Sequence, residues 1–284
     1  MTDFHQTPAL LTEHILWRDG CPLHYWLGGR AERPLLVFMH GATMDHRMFN
    51  AQVAAFAPEY RVLVWDARGH GRSQPIGGGF SLEQCAQDML AILDELDVSQ
   101  AILCGQSLGG YVAQHLYRRA PKRVAAMILI GSTPIAKAYS RLEVWALKAS
   151  LPLFRLWPYA HFTQTIARST ALTSDVQTYA LQAARQIQPV DFATIWQAVT
   201  LAVDEKGDPG LRIDVPLLLL HGDRDRAGTI RRDMPQWARQ EKAIRYQVIP
   251  NAAHNANQDN PEFTNEAIAA FLRDKARHDQ GWMG

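Results

Sequence analysis

The chain has 284 residues, enough for one large α/β domain or for a domain carrying an insertion. Hydrophobic residues make up 47% of it, sufficient for a sizeable core. Lys and Arg number 29 against 28 Asp and Glu, a formal net charge of +1, so there is no basic excess to neutralise a phosphate backbone and nucleic-acid binding is not expected.

The N-terminal stretch contains Asp3, Glu13 and Asp19 and no apolar h-region, so no signal peptide is expected. No apolar run approaches the roughly 18 residues that a membrane-spanning helix needs. Cys21, Cys85 and Cys104 make an odd set without a secretory signal, which argues against a disulfide framework. Cys85 and Cys104 sit among apolar neighbours and read as buried, inert thiols. A cytoplasmic location follows as the expectation.

Short apolar runs then recur along the chain. They lie at 35–39 (LLVFM, ending at His40-Gly41), 61–65 (RVLVW, ending at Asp66) and 101–104 (AILC, ending at Gly105). Further runs lie at 124–130 (VAAMILI, ending at Gly131), 215–220 (VPLLLL, ending at His221-Gly222) and 244–249 (IRYQVI, ending at Pro250). Runs this short, stopped by glycine or a polar residue, read as strands buried on both faces, as in a parallel sheet. Between them, Leu82, Cys85, Ala86, Met89, Leu90, Leu93 and Leu96 have helical spacing behind a capping-box start, Ser81-x-x-Gln84. The stretches after Ser107 and after Pro261 read as helices too. Strand–helix alternation predicts an α/β fold, a mostly parallel open sheet flanked by helices.

The alternation breaks between about Thr133 and Pro209. This segment has no convincing strand, shows helical spacing at Val176, Tyr179, Ala180, Ala183 and Ile187, and is rich in aromatics: Trp145, Phe154, Trp157, Phe162, Tyr179, Phe192 and Trp196. Most of these aromatics are expected to pack it against the rest of the chain. Asp208-Pro209-Gly210 closes the segment with a turn signal. The expected organisation is a helical cap over 134–209, inserted into a core made of 1–133 and 210–284.

The chemistry centres on Gly105-Gln106-Ser107-Leu108-Gly109, a G-x-S-x-G between a strand and a helical pattern. A chain that turns from strand to helix within a few residues strains the serine backbone and lifts its hydroxyl above the sheet. A serine hydroxyl needs a base to take its proton. Of the 11 histidines, His254 follows the last strand, at the carboxyl-end side of the sheet where sites of such folds lie. The base needs a carboxylate to fix its tautomer, and both Asp223 and Asp225 follow the strand VPLLLL. Periodicity does not choose between them, because Gly222 ends the strand. Donors for an oxyanion are expected from the backbone N–H of Leu108, next to the serine, and of Ala42, in the loop after LLVFM. His40 is expected to shape that loop rather than act as a base. No Walker loop, zinc-ligand spacing or dinucleotide fingerprint occurs, and Gly77-Gly78-Gly79 lacks the Lys-Ser/Thr of a phosphate cradle, so neither cofactor nor metal is expected.

Together these motifs resemble a capped α/β-hydrolase over nearly the whole length: HGAT at 40–43, DARGHGRS at 66–73, GQSLGG at 105–110, HGDRD at 221–225 and NAAH at 251–254. The stretch QVAAFAPEYRVLVWDARGHGRS is similar to one in enol-lactonase-like and esterase-like members. The resemblance implies that Asp66, Arg68 and His70 are structural. It also implies that the acid stands three residues after Gly222, at Asp225, which leaves Asp223 to pair with Arg224 or Arg226. The other family position for the acid, after VAAMILI, reads Gly131-Ser132-Thr133-Pro134 and offers no carboxylate. Haloalkane dehalogenases and epoxide hydrolases resemble this chain but use an aspartate where Ser107 stands. The implied activity is cleavage of carboxylic esters through an acyl-enzyme on Ser107, His254 and Asp225. A lactonase or a C–C bond hydrolase with the same triad is the alternative among enzymes, and a ligand receptor is the alternative from another class. The expected partner is a small ester or lactone, apolar because of the aromatics and leucines of the cap. Oligomeric state is not legible.

Overall fold

The apolar runs of the sequence pair side by side. In the computed structural model, which describes residues 3–145, 149, 157–201, 207–240 and 244–281, eight strands form one sheet. They are β1 (Thr12–Arg18), β2 (Cys21–Gly29), β3 (Leu35–Met39), β4 (Arg61–Trp65), β5 (Ala101–Gln106), β6 (Val124–Ile130), β7 (Leu217–Gly222) and β8 (Ile244–Ile249). Their order is β1-β2-β4-β3-β5-β6-β7-β8. β2 is antiparallel to β1 and to β4, and every other pairing is parallel.

The strand alternation sends side chains to two cores. Leu36, Phe38, Val62, Val64, Ile128 and Leu218 meet Val53 and Phe56 of α1 (Asn50–Phe56) on one face, together with Ile268 and Phe271 of the C-terminal helix. On the other face Val37, Leu63, Leu103, Met127, Leu129 and Leu219 meet α2 (Leu82–Glu95) and α3 (Leu108–Arg119). The Ser81 hydroxyl caps α2 by accepting the Gln84 N–H at 3.0 Å. The Gln84 side chain lies instead against Gly79 and the Arg68 guanidinium, so only the serine half of the capping box forms.

Two features depart from the apolar-run reading. The hairpin β1–β2 was not legible in those runs, because its strands mix polar and apolar residues. Its signal is the two-residue turn Asp19-Gly20, both residues at positive φ, as a type I′ hairpin requires. The run 244–249 forms a strand but is not buried on both faces: Arg245, Gln247 and Val248 are exposed, since β8 is the edge of the sheet.

Between β6 and β7 the described residues contain helices and no strand: 141–145, α4 (Tyr159–Thr170), α5 (Ser174–Arg185) and α6 (Pro189–Leu201). Phe162, Tyr179 and Phe192 are buried, as packing aromatics must be, while Trp145 and Trp157 are exposed and do not pack this segment onto the sheet. Phe154 lies outside the described residues. Tyr179 fastens α5 to the core, its hydroxyl within 3.2 Å of the Asp45 N–H, carbonyl and carboxylate. The chain closes with α7 (Ile230–Gln240), α8 (Ala256–Asp259) and α9 (Pro261–Gly281). Among the described residues no helix is long and apolar enough to cross a membrane. Cys21, Cys85 and Cys104 are free and buried, and burial raises the pKa of each thiol.

The segment 66–73 is a buried polar knot. Asp66 accepts the His46 N–H at 2.8 Å and the Arg72 N–H at 2.7 Å, and pairs with His46 Nδ1 at 2.9 Å. Arg68 makes a two-pronged pair with Asp88 at 2.7 Å on each prong, both side chains fully buried. Removing one partner strands the other charge. Asp88→Ala is therefore expected to cost about 3–5 kcal/mol in urea unfolding, and Arg68→Met/Asp88→Leu together markedly less. Equal losses for the single and the double variant would contradict this account.

Candidate active site

β5 ends at Gln106 and α3 begins at Leu108, so Ser107 makes the turn alone. Its backbone stands at φ 49 and ψ −111, a conformation that L residues avoid. Neighbours hold it there: the Ser107 N–H donates to Ile130 O at 2.8 Å, and the Gly110 and Tyr111 N–H groups donate to Ser107 O at 2.9 and 3.1 Å. The turn is tight enough that a Cβ on Gly109 would run into the Met39 carbonyl of β3. Leu108 opens α3, so its N–H is among those that lack an intrahelical acceptor.

The loop after β3 runs beside this turn. His40 is buried, donates through Nδ1 to Gly41 O at 2.8 Å and accepts the Ala67 N–H on Nε2 at 3.0 Å. Those partners require the neutral Nδ1–H tautomer, and burial depresses the His40 pKa. His40 thus braces the loop that carries Ala42. Thr43, at φ 67, bends that loop, and Met44 N–H closes it on Gly41 O at 3.1 Å. Ala42 itself packs against the cluster of Phe162, Ile187, Phe192 and Ile195, supplied by α4, α6 and the connection before α6.

The ends of β7 and β8 bring the acid and the histidine together. Asp225 is 2% exposed; its Oδ2 meets His254 Nδ1 at 3.0 Å and its Oδ1 accepts the Ala227 N–H at 2.8 Å. Asp223 does not touch His254 and does not form the expected pair with Arg224. Its Oδ1 accepts the Ala252 N–H at 3.0 Å, and Arg224 donates to Asn251 Oδ1 at 3.1 Å. The backbone N–H of Ala252 lies closer to the Asp223 carboxylate than any cation of the loop, and it decides the contact. A side chain on Gly131, at the end of β6, would meet Asp225 Oδ2 and His254 Nδ1 at 3.3 Å. Ile130, which precedes it, carries the carbonyl that holds Ser107, so serine, acid and histidine gather at one end of the sheet.

Burial alone would lower the His254 pKa, but the adjacent Asp225 carboxylate outweighs it and raises the value above the ordinary 6.5. Burial alone would raise Asp225, but His254 and the Ala227 N–H hold it below the usual carboxylate value. Two further residues shape the site without standing out in the sequence. His221 repeats the His40 clamp at the end of β7, Nδ1 to Gly222 O at 2.8 Å with Nε2 2.8 Å from the Tyr246 hydroxyl. Gln106 is 1% exposed, donates through Nε2 to His254 O at 2.8 Å, and sits so close to Gly41 that a Cβ there would overlap it. A signal existed for Gln106, since a carboxamide at the end of a core strand must find partners.

Among the described residues, Asp45, His46 and Asp66 form one buried grouping with metal-ligand atoms within 4.8 Å of one another. Its atoms are already engaged: Asp45 by Arg47 and Tyr179, His46 Nε2 by Thr7 at 2.7 Å, and Asp66 by the donors described above.

Residues 34–261 match the family model described as alpha/beta hydrolase fold. The chain belongs to the α/β-hydrolase family. This α/β-hydrolase is 26% identical over 268 residues to 3-oxoadipate enol-lactonase 2 of Acinetobacter baylyi, covering 94% of this chain and 98% of that one. It is 30% identical over 264 residues to a pimeloyl-[acyl-carrier protein] methyl ester esterase of Pectobacterium carotovorum, covering 88% and 98%. Its fold superposes on a thermophilic esterase from Thermogutta terrifontis with a TM-score of 0.78 at 25% identity, covering 94% and 99%.

The Asp225–His254 contact has a signed pH signature. The raised His254 pKa stabilises the folded hydrolase fully below the unfolded value near 6.5, and that contribution is lost as pH rises through the folded pKa. The depressed Asp225 pKa contributes above the unfolded carboxylate value of 3.8 and is lost as pH falls through the folded one. Histidine NMR should place His254 above 6.5 in the native protein and move it down in Asp225→Asn. A His254 resonance unmoved by that change would break the link.

Proposed function

We propose that this hydrolase cleaves carboxylic esters of small apolar molecules through a covalent acyl-enzyme. Ser107 Oγ attacks the ester carbonyl while His254 Nε2 takes its proton, and Asp225 on Nδ1 fixes the tautomer and stabilises the imidazolium. The N–H groups of Leu108 and Ala42 hold the oxyanion. His254 then protonates the departing alcohol, and a water, deprotonated by the same imidazole, releases the acid. The observation that carries this reading is the 3.0 Å contact between Asp225 and His254 at the sheet end where Ser107 is held in its strained turn. The esterase and enol-lactonase names of the relatives support it. A lactone, whose leaving alcohol stays tethered to the acyl group, would follow the same steps, and the enol-lactonase relative favours testing it beside open esters.

In this reading residues 134–209 form a cap on a core made of 1–133 and 210–284. The apolar cluster of Phe162, Ile187, Phe192 and Ile195 beside Ala42 is the wall of the acyl pocket. Esters with apolar acyl groups are expected to outperform charged ones in a graded p-nitrophenyl series, and a preference for dianionic substrates would refute the assignment. No step draws on a metal, so EDTA should leave the rate unchanged.

Ser107→Ala should abolish fluorophosphonate labelling and nearly all turnover while the protein stays folded. Asp225→Asn keeps the shape but favours the wrong histidine tautomer, and should lower kcat on the order of 10³–10⁴-fold. Asp223→Asn should cost less than about tenfold, because its carboxylate braces a backbone N–H and not the imidazole. A reversal of these two losses would make Asp223 the acid.

A further inference from the structure

One carboxylate joins the loop that carries His254 to the helices above it. Asp259, the last residue of α8, accepts the Ala253 N–H on Oδ2 at 2.9 Å. It also accepts the Leu172 N–H on Oδ1 at 2.9 Å and the Thr173 N–H at 3.3 Å. Ala253 immediately precedes His254, whereas Leu172 and Thr173 form the turn between α4 and α5. On the other side of the histidine, the Asn255 N–H donates to Thr170 O, the end of α4, at 2.7 Å. Both chain neighbours of His254 are therefore tied to one turn of the inserted helices, more than 80 residues away in sequence.

The same helix reaches the acyl side of the site. α4 carries Phe162, which packs edge-on against Phe192 at a ring separation of 4.8 Å in the cluster that touches Ala42. One helix thus contacts the apolar cluster at its first half and the His254 loop at its end. Asp259 is half-buried, and burial raises its pKa, with the three N–H groups opposing that rise. Its carboxylate takes no part in the proton transfers described above.

We propose that Asp259 is a positioning residue for His254, coupling the α4–α5 turn to the base loop so that filling the apolar wall aligns the imidazole. This rests on the Ser107–His254–Asp225 reading. The consequence is that an apolar acyl group raises kcat and not only affinity, since its contact with α4 is transmitted to the base. A misplacement of about 1 Å at a catalytic group is enough to cost on the order of 10²-fold in rate.

The test compares p-nitrophenyl hexanoate with p-nitrophenyl acetate in the native protein, Asp259→Ala, Asp259→Asn and Asp259→Glu. In the native protein the hexanoate is expected to have the higher kcat. Asp259→Ala should lower kcat on the hexanoate by on the order of 10²-fold, leave KM within about threefold, and bring the two substrates close together. The acid limb of its kcat/KM profile should move to lower pH, because an imidazole loosened from Asp225 loses the carboxylate that raises its pKa. Asp259→Glu, which keeps the charge and the acceptor oxygens, should restore part of the kcat. Should Asp259→Ala fail to fold, Asp259→Asn serves in its place: it keeps the volume but turns an N–H₂ toward one of the donors, and the same convergence of the two substrates is expected.

A variant that melts earlier but keeps the native kcat ratio and acid limb would show that Asp259 only braces the fold, and would overturn the proposal. If Ser107→Ala retains turnover, the reading of the site has failed instead, so the two failures are told apart.

Discussion

The site is organised around the backbone of Ser107. A residue at φ 49 and ψ −111 is held at a cost of roughly 1–3 kcal/mol, and it persists only where its surroundings leave no alternative. Here the alternatives are closed by hydrogen bonds from both sides: β6 takes its N–H through Ile130, and the first turn of α3 takes its carbonyl. The rest follows from that turn. It leaves the Leu108 N–H at the free end of α3, and the residue before it, Gln106, reaches the His254 carbonyl with its carboxamide.

Two histidines hold loops beside the serine through ring hydrogen bonds. His40 and His221 stand at the ends of two different strands, each donating from Nδ1 to the carbonyl of the glycine that follows at 2.8 Å. For His40 the second ring nitrogen accepts a backbone N–H, so the imidazole stays neutral and burial reinforces that state. In the pair Asp225–His254 each partner shifts the other's pKa toward the ionised form against the pull of burial. The buried pairs around the 66–73 segment, Asp66 with His46 and Arg68 with Asp88, lie apart from that contact and hold the segment that supports the His40 loop.

The helices between β6 and β7 meet the rest of the chain through contacts of two kinds. At the loop after β3 the contact is aromatic and apolar, Phe162 and Phe192 against Ala42. At Asp45 and at the His254 loop it is polar and specific, through Tyr179 and through Asp259 and Asn255. An apolar wall tolerates varied groups, whereas a set of directed hydrogen bonds defines one geometry.

What the sequence determined by itself was whatever local patterning can state. Runs such as LLVFM, closed by His40-Gly41, and VAAMILI, closed by Gly131, form buried strands, and G-x-S-x-G between strand and helix places Ser107 in its turn. The missing strands β1 and β2 have a local signal as well, Asp19-Gly20, but their mixed polarity hides them among apolar runs. The edge position of β8, which exposes Arg245 and Gln247, depends on strand order and not on the strand itself. Asp223 and Asp225 are indistinguishable by periodicity; the fold sets one on the Ala252 N–H and the other on His254, 29 residues further along the chain. The partners of Gln106 and Asp259 were not legible, because His254 and Leu172 lie 148 and 87 residues away. Periodicity and turn chemistry act between near neighbours, whereas a hydrogen bond between distant residues exists only after the sheet and helices have brought its donor and acceptor together.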